Sequence, residues 1–542
     1  MKVLFSALHL AHFRNFESVI RDLAARGHRV HLVGDEPEAV MGGQGLVERL
    51  ALECPGVTWG LMPALEREEP WFDIARRLRM GLDYVRTLEP RYRAFPKLRA
   101  RAAERMPRVV RWAADRAPRS TGAVLRRIER WLPASEALVG VLRAERPDVV
   151  VLASLTISRS QQLDLLKAAR AERIPVAAAI MSWDHLSSKA LLHLHPDRVL
   201  VWNDVQKQEA VEMHGVPADR IAVTGAQCYD QWFTRAPHRT REAYCRALGL
   251  RTDRPFVLWV HSALTPKPQP PEPELVQRWI AALRGSGDPV LRELGVVVRP
   301  HPERMNEWTG IDLTRFDNVA FAGRNPIDPD AKHDYFDALF HSAAVVGLVT
   351  SAFLEAAIVG RPVLTLTLPE YRIHQDEMRH FQYLRTVAGG VLLVAPDLGT
   401  HLQQLAGAVA QPPERDERNR GFIEAFIRPR GLDTPATPVF SDTLEALAGA
   451  GTIPDPSLGG SRLARALVVA AASHAGGRVG RYLLNDSRED RRADDLDGRR
   501  RRREARIAAK AAHRRAKMLR HYRNRAMART AGGTTRTPGN GE

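Results

Sequence analysis

The chain of 542 residues is poor in cysteine, in long apolar runs and in clustered acidic residues. Its three cysteines, Cys54, Cys228 and Cys245, show no C-x-x-C or Cys/His spacing. That argues against a disulfide framework and a structural zinc site, and fits a reducing compartment. The longest apolar run near the C-terminus, Ala464 to Ala472, is broken by Arg465 and falls far short of the ~20 residues a membrane span needs. His9, His12 and Arg14 interrupt the apolar start before a secretory core forms, so no signal peptide is expected. Without an acidic ligand cluster, no metal site is expected either.

What is present is an ordinary globular balance, 44% apolar and 26% charged residues, and a net charge of +17. The excess is local. Residues 488–536 hold 18 Lys/Arg against 6 Asp/Glu, and residues 86–130 hold 14 against 4. The remainder of the chain is mildly acidic, at −5.

The first residues read as strand, helix, strand. Lys2–Ala7 is an apolar run suited to a strand buried on both faces. Phe16, Val19, Ile20 and Leu23 recur at helical spacing before Gly27, and Val30–Val33 is the next strand. Such alternation implies a parallel sheet with right-handed crossovers. Between about 64 and 142 strand signals vanish, and the pattern reads as an Arg-rich helical insertion. Alternation resumes with strands at 148–152, 176–180, 198–202 and 221–224. A polar linker at 237–240 opens a second series: 256–260, 296–299, 319–321, 345–349, 363–368 and 391–394. The expected organisation is an α/β first domain at 1–236 and a second at 237–452. A helical extension at 453–487 and a basic, largely disordered tail at 488–542 follow. In open parallel sheets ligands bind beyond the carboxyl ends of the strands, so the loops after strands matter most.

Four such loops carry candidate chemistry. Thr350-Ser351 follows a strand and opens a helix whose free amides can cradle phosphate, with Glu355 one turn below to accept hydrogen bonds from ribose hydroxyls. A well-capped but ordinary βαβ unit explains the same residues. Arg299-Pro-His301-Pro302 follows another strand; the flanking prolines stiffen a loop offering Arg299 to an anion and His301 as proton donor to a leaving phosphate, or the loop is a solvated turn. Trp183, Asp184, Ser187 and Lys189 sit together after 176–180 and combine a stacking face with donors and acceptors. Asp184 is there a candidate base; simple turn chemistry is the alternative. His9 and His12 follow the first strand, and a histidine near pKa ~6.5 suits a general base at neutral pH; both are equally compatible with structural roles.

Two α/β halves, R-P-H-P in the second, then T-S-x-x-x-E-A-A-x-x-G-R-P at 350–362, resemble the GT-B fold glycosyltransferases over about residues 1–450. The second half is similar to the capsule and teichoic-acid enzymes of the CDP-glycerol glycerophosphotransferase type. The resemblance implies two Rossmann-like domains facing across a cleft, with a nucleotide-diphosphate sugar as donor substrate and no separate cofactor. It implies that Thr350 and Ser351 hold the donor diphosphate and Glu355 its ribose. Arg299 and His301 would serve the leaving nucleotide, and His374 and Gln375 would lie in a loop facing the donor. His12 or His9 would reach the acceptor. The E-x7-E pair of many retaining members is absent, since position 363 is Val and 347 is Gly.

The expected activity is transfer of a sugar, or a sugar-like phosphate group, to a hydroxyl of a cell-surface polysaccharide or lipid-linked acceptor. The alternatives are a nucleotide-sugar 2-epimerase of the same fold and a non-catalytic scaffold associated with membrane or nucleic acid. The protein is expected in the cytoplasm, with peripheral placement at the inner membrane face as the further expectation. Residues 86–130, flanked by Tyr84 and Trp131, interleave Tyr92, Phe95 and Trp112 with arginines, a composition suited to anionic lipid. The tail 488–536 meets the same surface, binds nucleic acid non-specifically, or is simply solvated. The folded body has no nucleic-acid motif, so no specific nucleic-acid partner is expected.

Overall fold

A computed structural model describes residues 1–453 apart from 37–41, 66–68, 70, 93–95, 105, 159, 263–269 and 411–416, together with 466, 467 and 470. Phe95, the basic tail and, Ile453 and those last three residues aside, the helical extension at 453–487 lie outside the described residues.

Among the described residues, thirteen strands form two sheets. The first holds β1 (Lys2–His9), β2 (Arg29–Glu36), β3 (Val57–Leu61), β4 (Val149–Leu152), β5 (Val176–Ala179), β6 (Arg198–Val201) and β7 (Ile221–Val223), in the order β3-β2-β1-β4-β5-β6-β7. The second holds β8 (Phe256–Val260), β9 (Gly295–Arg299), β10 (Val319–Phe321), β11 (Ala344–Gly347), β12 (Val363–Leu366) and β13 (Leu392–Ala395), ordered β10-β9-β8-β11-β12-β13. Pairing is parallel throughout both sheets. The continuous apolar runs are the inner strands: every residue of β4, β5, β8, β9, β11 and β12 is buried, because helices cover both faces.

In each sheet the chain leaves a central strand outward, then returns to its other side. The strand order therefore reverses between β1 and β4 and between β8 and β11, and a crevice opens beyond their carboxyl ends. These two Rossmann-like halves are the arrangement expected from the sequence.

Two features were not read from the pattern. β3 is an edge strand with only Val57 fully buried, so its apolar signal is short and diluted by Thr58 and Gly60. The helix Ala436–Ala450, counted above with the second half, crosses back to the first. Its Phe440, Leu444 and Leu447 join the core made by Phe5, Phe16, Val19 and Ile20. Arg26 reaches Asp442 at 2.6 Å, and Thr437 Oγ1 donates to Ser18 Oγ at 2.9 Å. This crossing passes against Gly225, whose φ is +88° and where a Cβ would lie 2.8 Å from the Ala436 Cβ, so only glycine fits.

The insertion folds as helices at Phe72–Thr87, Pro96–Glu104, Arg108–Arg116, Pro118–Trp131 and Glu136–Glu145. Leu82, Tyr84, Met106, Val110, Ala114 and Leu125 form its own small core. It is pinned to the sheet's helix layer by Arg79, whose buried guanidinium pairs with Asp164 at 2.7 Å and Glu129 at 3.0 Å; Lys167 also meets Glu129 at 2.7 Å.

Candidate functional site

The carboxyl ends of both sheets face one cleft of about 390 Å³. β1 delivers His12 and Arg14, β5 delivers Ser182, Trp183 and His185, and the segment after β7 delivers Tyr229, Trp232 and Arg235. From the second half come His261 after β8, Arg299 and His301 at the end of β9, and Arg324 after β10. Lys332 and Tyr335 come from the helix Pro329–His341, and Thr350, Ser351 and Glu355 follow β11. Arg14, Arg235, Arg299, Arg324 and Lys332 thus converge on a wall where, among the described lining residues, Glu355 is the one carboxylate. Lys332 also pairs with Glu17 at 2.6 Å behind the lining, and the remaining arginines make a field that draws anions.

Arg299 is the best fixed of the cations. It is 6% exposed, and its guanidinium lies 4.3 Å from the centroid of the Tyr335 ring. One nitrogen donates to the Arg324 carbonyl at 2.5 Å, and Asp334 stands 3.8 Å away. Gly323, with φ +125°, leaves the room: a Cβ there would stand 2.5 Å from Arg299 Nη1. The Tyr335 hydroxyl in turn donates to Glu355. Burial pushes the Glu355 carboxyl up to about 7, against the pull of Tyr335, Arg14, Arg299 and Arg235.

On the first-domain wall, His12 Nδ1 lies 3.3 Å from Ser154 Oγ, so the pair bridges the gap between β1 and β4. Burial, then His9, His185, Arg14 and Lys189, push the His12 imidazole down to about 3, so it is neutral at pH 7 and, in the cleft without an anion, a weak base. His301 lines the opposite wall. Behind it, His261 Nδ1 accepts from the Trp308 indole at 3.2 Å. An indole only donates, so the His261 proton sits on Nε2, 3.5 Å from both Glu272 and Glu307. Burial pushes Glu272 up to about 8, although Ser262 N and Trp259 Nε1 both donate to it.

Several expectations change. Ser351 does not cap its helix: its backbone is already helical (φ −65°, ψ −18°) and its side chain makes no cap bond, whereas Thr350 Oγ1 accepts from Ala352 N at 3.3 Å. The helix Ala352–Ile358 has only 7 residues, and the positive character of the cleft comes from side chains instead. Asp184 lies behind the lining. It accepts from Ser182 Oγ at 2.5 Å and Ser188 Oγ at 2.7 Å. Burial would raise its carboxyl, but His185, His380 and Lys189 hold it well below the usual carboxylate range, which makes it a poor base. Trp183 does line the cleft, its ring edge-on to His380 at 5.0 Å, while Ser187 donates to the Asp184 carbonyl and Lys189 stays outside the lining. His9 stacks edge-on with His12 at 5.2 Å but does not line the cleft. Gln375, fully buried, donates to the carbonyls of Leu348 and Leu366 at 3.2 and 2.8 Å, bracing the ends of β11 and β12; with His374 it lies outside the cleft.

Arg14, Arg235, Arg324, Lys332, Tyr335, Trp232 and His261 were not singled out from the sequence. A signal existed for two: His261 directly follows β8, and Arg324 stands three residues after β10. Lys332 and Tyr335 lie one helical turn apart on a helix whose facing partner only the fold reveals. Among the described residues, no group of three or more His, Cys, Asp or Glu is placed to hold a metal ion.

No family model and no curated protein matches the chain. Among solved structures it is similar to a UDP-GlcNAc 2-epimerase from Neisseria meningitidis bound to UDP-GlcNAc, at 15% identity over 82% of this chain and 100% of that one, with a TM-score of 0.48. It is similar to a glycosyltransferase from Rickettsia africae ESF-5 at 9% identity, covering 82% and 98%, with a TM-score of 0.47. A third is Anabaena HepE in complex with UDP and glucose, at 12% identity, covering 82% and 100%, with a TM-score of 0.44.

Proposed function

We propose that the cleft holds a nucleotide-diphosphate sugar. In this reading the protein is a glycosyltransferase that moves the sugar, or a sugar-like phosphate group, to a hydroxyl of a cell-surface polysaccharide or lipid-linked acceptor. The observation that carries this is the convergence of Arg14, Arg235, Arg299, Arg324 and Lys332 where the strand orders of the two sheets reverse. As the bond to the diphosphate breaks, negative charge grows on its oxygens. Fixed cations in a partly dry cleft stabilise that charge without reorganising. Arg299, held by Tyr335 and the Arg324 carbonyl, faces the diphosphate, and His301 beside it protonates the leaving group. The negative charge of a bound diphosphate opposes Arg14 and the neighbouring cations that depress His12, and the imidazole so raised takes the proton from the acceptor hydroxyl on the other wall. Trp183 and Trp232 add apolar lining to the cleft.

One observation favours a second reading, a nucleotide-sugar 2-epimerase. Glu355, pushed to about 7 by burial and hydrogen-bonded to Tyr335, is a proton donor and acceptor on the donor side of the cleft, where removal and return of a proton at a sugar carbon needs one.

Product analysis separates the two. The protein is incubated with UDP-, CDP-, GDP- and TDP-sugars, with and without a hydroxyl acceptor. Release of nucleoside diphosphate (sugar transfer) or nucleoside monophosphate (transfer of a phosphate-bearing group) that rises with added acceptor supports the transferase; an epimeric nucleotide-sugar formed without acceptor assigns the second reading. Neither product, together with no nucleotide binding, overturns both.

A further inference from the structure

We propose that the outer side of the helix pair Arg108–Arg116 and Pro118–Trp131 is a docking surface for an anionic lipid bilayer. The inference stands on the insertion alone and does not depend on the reaction in the cleft.

The inner side of this pair is fully used. Val110, Ala114 and Leu125 are buried with Leu82, Tyr84 and Met106, and Glu129 is locked by Arg79 and Lys167. The outer side is different. Val109 is 49% exposed, Trp112 60% and Val124 57%, so three of the large apolar side chains exposed among the described residues fall within residues 109–124. A single exposed valine needs no explanation; three beside a dense cationic border do. Arg108, Arg111, Arg116, Arg119, Arg126 and Arg127 are all exposed on these two helices. Acids are scarce here: Asp115 is exposed, with Arg111 4.0 Å away, and Glu129 is buried.

The geometry of the arginines suits an interface between water and hydrocarbon. The Arg116 guanidinium lies over the Trp112 ring at 4.6 Å, and that of Arg127 over Trp131 at 5.2 Å. Stacked in this way, the apolar stem and ring can enter the headgroup layer while the charge stays with lipid phosphates. A nucleic acid would also attract the arginines through its phosphates, but it offers nothing to Val109 and Val124. A bilayer removes all three apolar side chains from water. The surface also belongs to a body that touches the cleft wall. Arg86 donates to the Lys189 carbonyl at 2.9 Å and Asp83 accepts from Leu191 N at 2.7 Å, which holds the segment carrying Trp183.

The test is co-sedimentation of the full chain with vesicles of phosphatidylcholine alone or of phosphatidylcholine with three tenths phosphatidylglycerol, at low and high salt. Wild type is expected to partition at least tenfold more strongly onto the anionic vesicles, and to lose most of that advantage in 0.5 M salt. The combined change Val109→Ser, Trp112→Ser and Val124→Ser is expected to lower partitioning at least tenfold. A second variant, Arg111→Glu with Arg119→Glu and Arg126→Glu, alters only exposed side chains, so its fold is safe. It is expected to lower partitioning about a hundredfold, at roughly fivefold per basic residue near an anionic surface. Wild-type affinity in both variants, as when the basic tail does all the binding, overturns the proposal. So does equal binding to neutral vesicles, or a loss in the variants that appears for a 30-nucleotide single-stranded RNA but not for vesicles.

Discussion

Two regions of this molecule are rich in arginine and use it in opposite ways. In the cleft, Arg299 is 6% exposed, stacked on Tyr335 and tied to a backbone carbonyl, so its charge points in one direction before any ligand arrives. On the outer side of the insertion, Arg108, Arg111 and Arg119 stand in solvent. A fixed, partly desolvated guanidinium can stabilise charge at one atom. A mobile, solvated one contributes to a diffuse field and suits a surface that has no fixed atoms to match. Between them stands Arg79, buried and fully matched by Glu129 and Asp164, which leaves nothing over for a ligand. The surroundings of each arginine, not its presence, assign its work.

The comparison can be sharpened by substitution. The largest effect is expected at the cleft's first-domain wall: His12→Ala should lower turnover by about 10²–10⁴ while nucleotide affinity, measured by calorimetry, changes less than about threefold. A cut in affinity equal to the cut in turnover would make His12 a binding group. Next, Arg79→Met should destabilise the fold by about 3–5 kcal/mol in urea titration, because it strands the carboxylates of Glu129 and Asp164 in the interior. A loss below about 1 kcal/mol would mean that Lys167 alone satisfies them.

A third test concerns Glu209, where the two halves meet. It is fully buried on the helix Asp204–His214 and accepts from the Tyr383 hydroxyl of Arg379–Thr386 at 2.7 Å. Burial pushes its carboxyl up to about 7, against Tyr383 and Arg379. Because the folded state holds this proton more tightly than the unfolded state, its contribution is full below about pH 4.5 and is lost as pH rises through 7. Wild type should therefore fall relative to Glu209→Gln by on the order of 2–3 kcal/mol between pH 4.5 and 8. Parallel stability curves for the two would contradict it. The smallest effect is expected at Arg116→Ala, below about 0.5 kcal/mol in thermal unfolding, since an exposed cation stacked on an exposed ring gains little in water.

Much of the fold was legible because strands buried on both faces must be apolar throughout. Val149–Leu152, Phe256–Val260 and Ala344–Gly347 announce themselves in that way. β3 did not, because an edge strand needs only half its residues inside. The helix Ala436–Ala450 was not read from the sequence and fell within the second half by position alone, and an apolar stripe does not say which domain it will cover. The site was partly legible for a related reason. Residues directly after a strand, such as His12, His301 and Thr350, are placed by local order, and all three line the cleft. The cluster of Arg299, Tyr335 and Glu355 joins segments 20 to 56 positions apart, and only packing brings them together. Asp184 and Gln375 also follow strands, yet serine hydroxyls and backbone carbonyls claim them first.

The central claim is that fixed side-chain cations, Arg299 foremost, hold a diphosphate. Calorimetric titration of UDP, CDP, GDP and TDP, each against its monophosphate, tests it most directly, in wild type and in Arg299→Ala. At least one diphosphate should bind ten times or more tightly than its monophosphate, and that preference should largely vanish in the variant. If no nucleoside diphosphate binds, or if the preference survives the loss of Arg299, the account is wrong.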